Sequence, residues 1–179
     1  MNEPNTTMYH RQLDLARVDL LREVPITVIG AGGIGSPAVV CLTKMGCTQI
    51  TVYDDDVVEE HNLPNQWFRR KDIGKKKVHA LAEIAEEFSD VRVTAIPNRW
   101  TGEKLRGIVI AAVDNMDVRR AIWLACRERP AVRLLIEGRM GGEQFRLYAV
   151  RPCDERDIAK YEMELYPQSE AADLPCTAR

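Results

Sequence analysis

The sequence lacks the features of membrane proteins and of small secreted proteins held together by disulfides. Its longest apolar runs, such as residues 108–113, are far shorter than the roughly 20 residues that a membrane-spanning helix needs. The first residues are polar and contain no apolar signal core. The five cysteines are an odd number, and no two form a C-x-x-C pair, which argues against a disulfide framework and a zinc ribbon. We therefore expect a cytoplasmic protein.

The sequence also lacks an excess of charge of one sign, because its formal net charge is −2 over 179 residues. Such a balance gives no strong attraction to nucleic acid or to an anionic membrane. Apolar residues make up 45% of the chain and charged residues 29%, as in globular proteins with one sizeable core. We predict one folded domain over residues 1–150 and a polar, irregular surface loop over residues 151–179.

Short apolar segments alternate with amphipathic ones along the chain. The pattern predicts strands at 26–29, 49–53, 91–96, 108–113, 133–137 and 144–150, and helices at 9–23, 36–45, 75–88 and 117–129. Ser36 and Pro37 are suited to the N-cap and the first position of the second helix. This alternation predicts an α/β fold, a Rossmann-like, doubly wound and mainly parallel sheet with helices on both faces.

A glycine-rich turn joins the first predicted strand to a helix. Gly30, Gly32 and Gly35 form the pattern G-x-G-x-x-G, in which Gly30 permits a tight turn and Gly32 lets the backbone approach phosphate oxygens. The free N–H groups of the helix N-terminus favour an anion. Asp54 ends the second predicted strand, where a carboxylate can accept hydrogen bonds from ribose hydroxyls. These residues predict nucleotide binding without separating NAD from ATP; the alternative is a tight turn without a ligand.

The segment that distinguishes an ATP-binding protein from an NAD-binding one spans residues 54–66 and reads DDDVVEEHNLPNQ. It resembles the DxDxVexxNLxRQ signature of the ThiF/MoeB/HesA/ubiquitin-activating enzyme superfamily. Four other segments resemble motifs of that superfamily in the same order, namely RQL at 11–13, GxGGxGS at 30–36, vGxxK at 72–77 and the D-N pair at 114–115.

The resemblance implies an ATP-dependent adenylyltransferase. In this superfamily a carboxylate attacks the α-phosphate of ATP and gives an acyl adenylate and pyrophosphate. The implied partner is a ubiquitin-like or sulfur-carrier protein with a C-terminal glycine, and the implied assembly is a homodimer or heterodimer. Adenylation of a small molecule or of a carboxylate carried by tRNA is the alternative within the superfamily.

The resemblance also assigns roles to individual residues. Asp54 would hold the ribose, Asn62 would help to position the phosphates, and Lys77 would contact them as a point charge. Asp114 would hold Mg²⁺ near the α-phosphate, since a hard cation prefers carboxylate oxygen. Arg11 would reach across a dimer interface to the phosphates bound by the neighbouring subunit. The implied nucleotide-binding set is Gly30, Gly32, Gly33, Asp54, Asn62, Lys77, Asp114 and Asn115.

Four charged residues also have a structural interpretation. Lys77 could be one of three lysines on a solvated helix start, Asp114 could cap the following helix, and Arg11 could be an ordinary surface residue. Asp56 could bind the metal or hydrogen-bond its own loop.

One position departs from the superfamily pattern. Asn65 stands where an arginine that contacts the phosphates is expected, and Arg69 or Arg70 could supply the missing charge from a rearranged loop. The superfamily includes subunits that have lost catalysis and serve as scaffolds. A scaffold subunit is therefore the second hypothesis, and an NAD-dependent oxidoreductase is the third. The 54–66 segment argues against the oxidoreductase.

Cys176 lies in the sequence LPCTAR, which resembles the segment that carries the catalytic, thioester-forming cysteine of ubiquitin-activating enzymes. A nucleophilic cysteine needs exposure and a positive neighbourhood, so Cys176 joins Asp114, Arg11 and Lys77 as a candidate catalytic residue. The alternative is an incidental loop cysteine. Cys41 and Cys126 fall within predicted helices, where we expect them in the core. Superfamily members usually continue further, so residues 151–179 are expected to begin a crossover loop in a chain that is either truncated or minimal.

Overall fold

The computed structural model describes residues 6–12, 14–89, 91–141 and 144–170. The strands are β1 (Ile26–Ile29), β2 (Ile50–Tyr53), β3 (Thr94–Ile96), β4 (Gly107–Ala111), β5 (Val132–Gly141) and β6 (Gln144–Val150). The helices are α1 (Thr6–Tyr9), α2 (Val18–Glu23), α3 (Gly35–Lys44), α4 (Lys77–Ser89), α5 (Met116–Arg127) and α6 (Glu155–Glu162). Short 3-10 turns lie at His10–Gln12, Glu60–Asn62, Arg70–Asp72 and Gln168–Glu170.

The six strands form one sheet in the order β3-β2-β1-β4-β5-β6. The first five strands are parallel, and β6 pairs antiparallel with β5. All six strands were predicted from the sequence, and the fold class is confirmed. The chain order reverses between β1 and β4, and ligands of such sheets bind at this switch point, beyond the carboxyl ends of the strands.

Two apolar clusters pack on opposite faces of the sheet. One contains Val28 of β1, Val39 of α3 and Leu81 of α4, and the other contains Val109 of β4 and Trp123 of α5. Helices therefore cover both faces, as predicted. Along the described ranges no helix is long and apolar enough to cross a membrane.

The single helix predicted over residues 9–23 is wrong. The structure has α1, a 3-10 turn and, after a break, α2. Tyr9 is buried and lies against Gly46, whereas Leu15 and Leu20 are exposed. The apolar spacing in this segment therefore does not mark one buried helical face.

Two other local predictions are corrected. Helix α3 begins at Gly35, so Ser36 is not its N-cap; the Ser36 hydroxyl instead donates to the carbonyl of Gly32 and accepts from the amide of Trp67. The segment after Val150 is not wholly irregular, since it forms α6. The side chain of Asp154 caps this helix, and its Tyr161 is buried against the sheet.

Candidate functional site

The turn between β1 and α3 requires glycine at two positions. Gly30 has a positive φ of 97°, and a Cβ atom there would lie 2.5 Å from the carbonyl oxygen of Ala112. A Cβ atom on Gly35 would lie 1.9 Å from the carbonyl oxygen of Gly30. Side chains at either position would push the turn apart, so the predicted role of Gly30 in a tight turn is confirmed.

Gly32 and Gly33 have different surroundings in the same turn. A Cβ atom on Gly32 would meet no described atom within 4 Å, so its backbone is open to a ligand. A Cβ atom on Gly33 would lie 3.1 Å from Met140 Cε and 3.3 Å from the carbonyl oxygen of Asn65. The loop that carries Asn65 therefore packs against the glycine turn, and open space is found at Gly32.

Asp54 joins the glycine turn to the acidic segment that follows β2. Its Oδ2 atom accepts a hydrogen bond from the amide of Ala31 at 2.7 Å, and its Oδ1 atom accepts one from the amide of Asp56 at 2.9 Å. Asp54 is half-buried at the carboxyl end of β2. Its predicted contact with ribose stays a prediction, and the structure adds a role in shaping the turn.

Lys77 is buried at the start of α4, so the alternative of a solvated lysine is wrong. Its Nζ atom lies 2.8 Å from Asp56 Oδ2, and its amide donates to the carbonyl of Asp56 at 3.0 Å. Burying an ammonium group is costly unless it is paired, and Asp56 provides the pairing. The carboxylate of Asp56 is exposed. The ion pair therefore has one buried member, Lys77, and one member in contact with solvent.

Asp114 and Asn115 follow β4, and the structure separates their roles. The Asn115 Oδ1 atom accepts hydrogen bonds from the amides of Asp117 at 2.9 Å and Val118 at 3.0 Å, so Asn115 caps α5. The carboxylate of Asp114 is exposed at the carboxyl end of β4. The capping role considered for Asp114 thus belongs to Asn115, and Asp114 is available to a ligand.

Two other predicted site residues, Asn62 and Arg11, have no hydrogen bond to the glycine turn among the described residues. Asn62 is buried, and its Oδ1 atom accepts from the amide of Glu59 at 2.9 Å, which stabilises the 3-10 turn there. Arg11 is exposed beside Gln12, whose side chain reaches the carbonyl of Lys44 at the C-terminal end of α3. Since α3 is about 15 Å long, this contact places the segment that carries Arg11 at the end of α3 away from the glycine turn.

The acidic run Asp54, Asp55 and Asp56 places carboxylate oxygens within 4.8 Å of one another. Each carboxylate already has a donor, because Asp54 binds backbone amides, Asp56 binds Lys77, and Asp55 pairs with Arg99 at 3.0 Å. Carboxylate oxygens suit Mg²⁺, and within the described residues the exposed carboxylate of Asp114 has no such donor. Because the carboxylates of the acidic run already accept hydrogen bonds or ion pairs, Asp114 is the better candidate for a metal ligand.

Arg69 does not replace the arginine expected at position 65. Its guanidinium lies 2.7 Å from the buried carboxylate of Asp72 and also pairs with Glu83 and Glu87 of α4. These carboxylates hold the side chain against α4 and occupy its donors. Asn65 is exposed and neutral, so neither residue brings a free positive charge to the glycine turn.

A buried polar network beneath Asp114 was missed by sequence reasoning. Glu137 of β5 is fully buried; Arg119 of α5 binds it at 2.8 Å, and Arg139 and Tyr161 also contact it. Arg119 also donates to the carbonyl of Val113, the residue before Asp114. Burial lowers the pKa of Arg119, and the charge of Glu137 partly offsets this. The signal in the sequence was a glutamate that directly follows the apolar residues 134–136 of a predicted strand.

The cysteines divide into two groups. Cys126 is buried as predicted, and burial raises the pKa of its thiol to about 12, which makes it a poor nucleophile. Cys41 is exposed on α3, so its predicted place in the core is wrong. Cys153 is also exposed. Cys176, the candidate thioester acceptor, lies outside the residues that the structure describes.

Comparison with known proteins supports the motif assignments. The sequence model of the ThiF family matches residues 8–148. The sulfur carrier protein ThiS adenylyltransferase of Escherichia coli (strain K12) is 32% identical over 139 residues, which cover 70% of this chain and 55% of that protein. Ubiquitin-like modifier-activating enzyme 5 of Dictyostelium discoideum is 31% identical over 127 residues, which cover 60% of this chain and 33% of that protein. The chain thus spans about half or less of these relatives.

Solved structures give the same assignment of the fold. The tRNA N6-threonylcarbamoyladenosine dehydratase TcdA of E. coli superimposes with a TM-score of 0.70 at 26% identity, covering 77% of this chain and 62% of that one. A further structure of that protein is a complex with ATP. E. coli MccB reaches a TM-score of 0.75 at 17% identity, over 93% of this chain and 58% of that one, and supports the fold alone.

Proposed function

Because the chain belongs to the ThiF family, we propose that it is an adenylyltransferase that uses ATP to activate the C-terminal carboxylate of a ubiquitin-like or sulfur-carrier protein. The observation that carries the proposal is a continuous set of contacts at the switch point of the sheet. It runs from the glycine turn through Asp54 and Asp56 to Lys77. Three separate sequence motifs therefore meet where a nucleotide binds in sheets of this topology.

The proposed reaction forms one bond and breaks one bond. A carboxylate oxygen of the partner attacks the α-phosphorus of ATP, and the bond from that phosphorus to the bridging oxygen breaks. Pyrophosphate leaves with the electron pair, and no proton has to move. The work of the protein is to align the two anions and to stabilise the negative charge that develops on the leaving group.

Residues of this chain meet those requirements as follows. The open backbone at Gly32 and the N-terminus of α3 would hold phosphate oxygens, and Asp54 would hold the ribose. Lys77, which is paired with Asp56, would balance the negative charge of the phosphates. Asp114 would hold Mg²⁺, which when bound supplies positive charge at the α-phosphate.

We also propose that Arg11 acts on the site of a second subunit. Its exposed position at the C-terminal end of α3, away from the glycine turn of its own chain, supports donation across a dimer interface. A planar guanidinium is well suited to binding phosphate oxygens in this way.

The direct test is exchange of labelled pyrophosphate into ATP in the presence of a sulfur-carrier or ubiquitin-like protein. Exchange is expected with an intact carrier and not with a matched carrier that lacks the C-terminal glycine. Exchange that ignores the removal of this glycine contradicts a protein carboxylate as substrate. Binding of ATP without exchange with any carrier supports the scaffold hypothesis. This hypothesis is favoured by the neutral Asn65 and by Arg69, whose guanidinium is already paired with carboxylates.

Gly32→Ala is expected to fold normally and to bind ATP about ten-fold more weakly or worse, because the new methyl group enters the space assigned to phosphate oxygens. Nothing described lies within 4 Å of that methyl position, so the free energy of unfolding is expected to change by about 1 kcal/mol or less. Calorimetric titration with Mg·ATP and urea unfolding measure the two effects. Unchanged ATP affinity removes Gly32 from the site.

Cys176→Ala is expected to leave pyrophosphate exchange unchanged and to abolish any partner conjugate that thiol reagents reduce. In the proposed step the thiolate attacks the acyl adenylate, a thioester forms and AMP leaves. Gel electrophoresis with and without reductant detects the conjugate. Cys153→Ala is the matched control, and a conjugate that persists in Cys176→Ala rules out Cys176 as the acceptor.

A further inference from the structure

Arg99 lies over the acidic run at the carboxyl end of the sheet, three residues after β3. Its Nε atom is 3.1 Å from Asp55 Oδ1 and 3.0 Å from Asp55 Oδ2. The side chain is 79% exposed, so this ion pair is in contact with solvent. Sequence reasoning gave Arg99 no role.

The acidic run of Asp54, Asp55 and Asp56 connects Arg99 to the glycine turn. The hydrogen bond of Arg99 to Asp55 raises the pKa of the guanidinium, and the charges of Asp56 and Asp114 act in the same direction. Asp55, the partner of Arg99, places a carboxylate oxygen within 4.8 Å of one on Asp54. Asp54 in turn accepts from the amide of Ala31, in the glycine turn, at 2.7 Å. The guanidinium of Arg99 therefore lies close to the glycine turn.

Three other cations around the crevice already have partners. Lys77 is buried against Asp56 at 2.8 Å, and Lys76 donates from Nζ to the carbonyl of Asp55 at 2.6 Å. Arg69 is held by carboxylates of the loop and of α4. Arg99 differs, because its only ion pair within the described residues is an exposed one.

We propose that Arg99 binds the phosphate chain of ATP and supplies the positive charge that Asn65 does not. An exposed arginine–carboxylate pair contributes little to stability, so a phosphate can displace Asp55 from the guanidinium at small cost. The planar guanidinium then binds two phosphate oxygens with charge-assisted hydrogen bonds. The inference rests on the proposed use of ATP and adds a residue to that site.

Calorimetric titration of the 179-residue chain with Mg·ATP and, separately, with adenosine tests the inference. Arg99→Ala is expected to weaken Mg·ATP binding about ten-fold or more and to leave adenosine affinity unchanged. Arg92→Ala is the matched control, because Arg92 is exposed and pairs with Glu86 before the start of β3, at the other end of that strand. Its affinity for both ligands is expected to equal that of the wild type.

Asp55→Asn distinguishes phosphate binding from a structural ion pair. This change frees Arg99 and removes a negative charge, so Mg·ATP is expected to bind at least as tightly as to the wild type. Equal weakening of ATP binding in Asp55→Asn and Arg99→Ala, or equal weakening of ATP and adenosine in Arg99→Ala, overturns the inference. Wild-type ATP affinity in Arg99→Ala overturns it and leaves the proposed function standing, whereas a wild type that binds no ATP overturns both.

Discussion

Asp114→Ala is expected to lower pyrophosphate exchange at least about 100-fold while the protein stays folded. Loss of one group that stabilises charge in a transition state costs about 10²–10³-fold in rate, and Asp114 is assigned the metal at the α-phosphate. The carboxylate is exposed, and the cap of α5 is provided by Asn115. The free energy of unfolding is therefore expected to stay close to that of the wild type.

Asp117→Ala is the matched control for this measurement. Asp117 is an exposed aspartate in the first turn of α5, three residues from Asp114. Its exchange rate is expected to equal that of the wild type. If Asp114→Ala exchanges pyrophosphate as fast as Asp117→Ala, Asp114 has no place in the mechanism.

Glu137→Gln is expected to destabilise the protein by about 3–5 kcal/mol, because it leaves buried guanidinium groups without a compensating charge. Glu137 is fully buried and is the shared carboxylate partner of Arg119 and Arg139. Urea unfolding measures the effect as a lower midpoint at an unchanged slope. Because the size and shape of the side chain are kept, the loss reports charge rather than packing.

Glu162→Gln is the control that measures how much free energy of unfolding is lost when a partly exposed ion pair is broken. Glu162 binds Arg127 at 2.6 Å, and both side chains reach solvent. Its loss is expected to cost about 1 kcal/mol or less. A Glu137→Gln variant no less stable than Glu162→Gln contradicts the assignment of Glu137 as the centre of a buried charge network.

The parts of the site that the sequence predicts are those fixed by local chain order. A strand, a glycine turn and a helix follow one another at Gly30, and Asp54 and Asp114 each come directly after an apolar strand. Carboxyl ends of parallel strands share one edge of the sheet. Local order and topology therefore place these residues together before any contact is known.

The parts that the sequence does not predict depend on contacts between distant segments. Glu137 of β5 contacts Arg119 and Tyr161, which lie on two different helices. The periodicity of the sequence does not predict contacts between such distant segments. Asp114 and Asn115 are adjacent and both can cap a helix. The structure shows that Asn115 does so. Arg99 reaches Asp55 across 44 residues of chain, so its position also had no local signal.

Thermal unfolding with Mg·ATP and, separately, with NAD tests most directly the central claim that this site binds ATP, because it requires no knowledge of the partner. A ligand at about 100 times its Kd stabilises the folded state by about 2.7 kcal/mol, which for a chain of this size raises the midpoint by about 5–10 °C. We expect such a rise with Mg·ATP and none with NAD. A rise with NAD alone would contradict assignment as an adenylyltransferase.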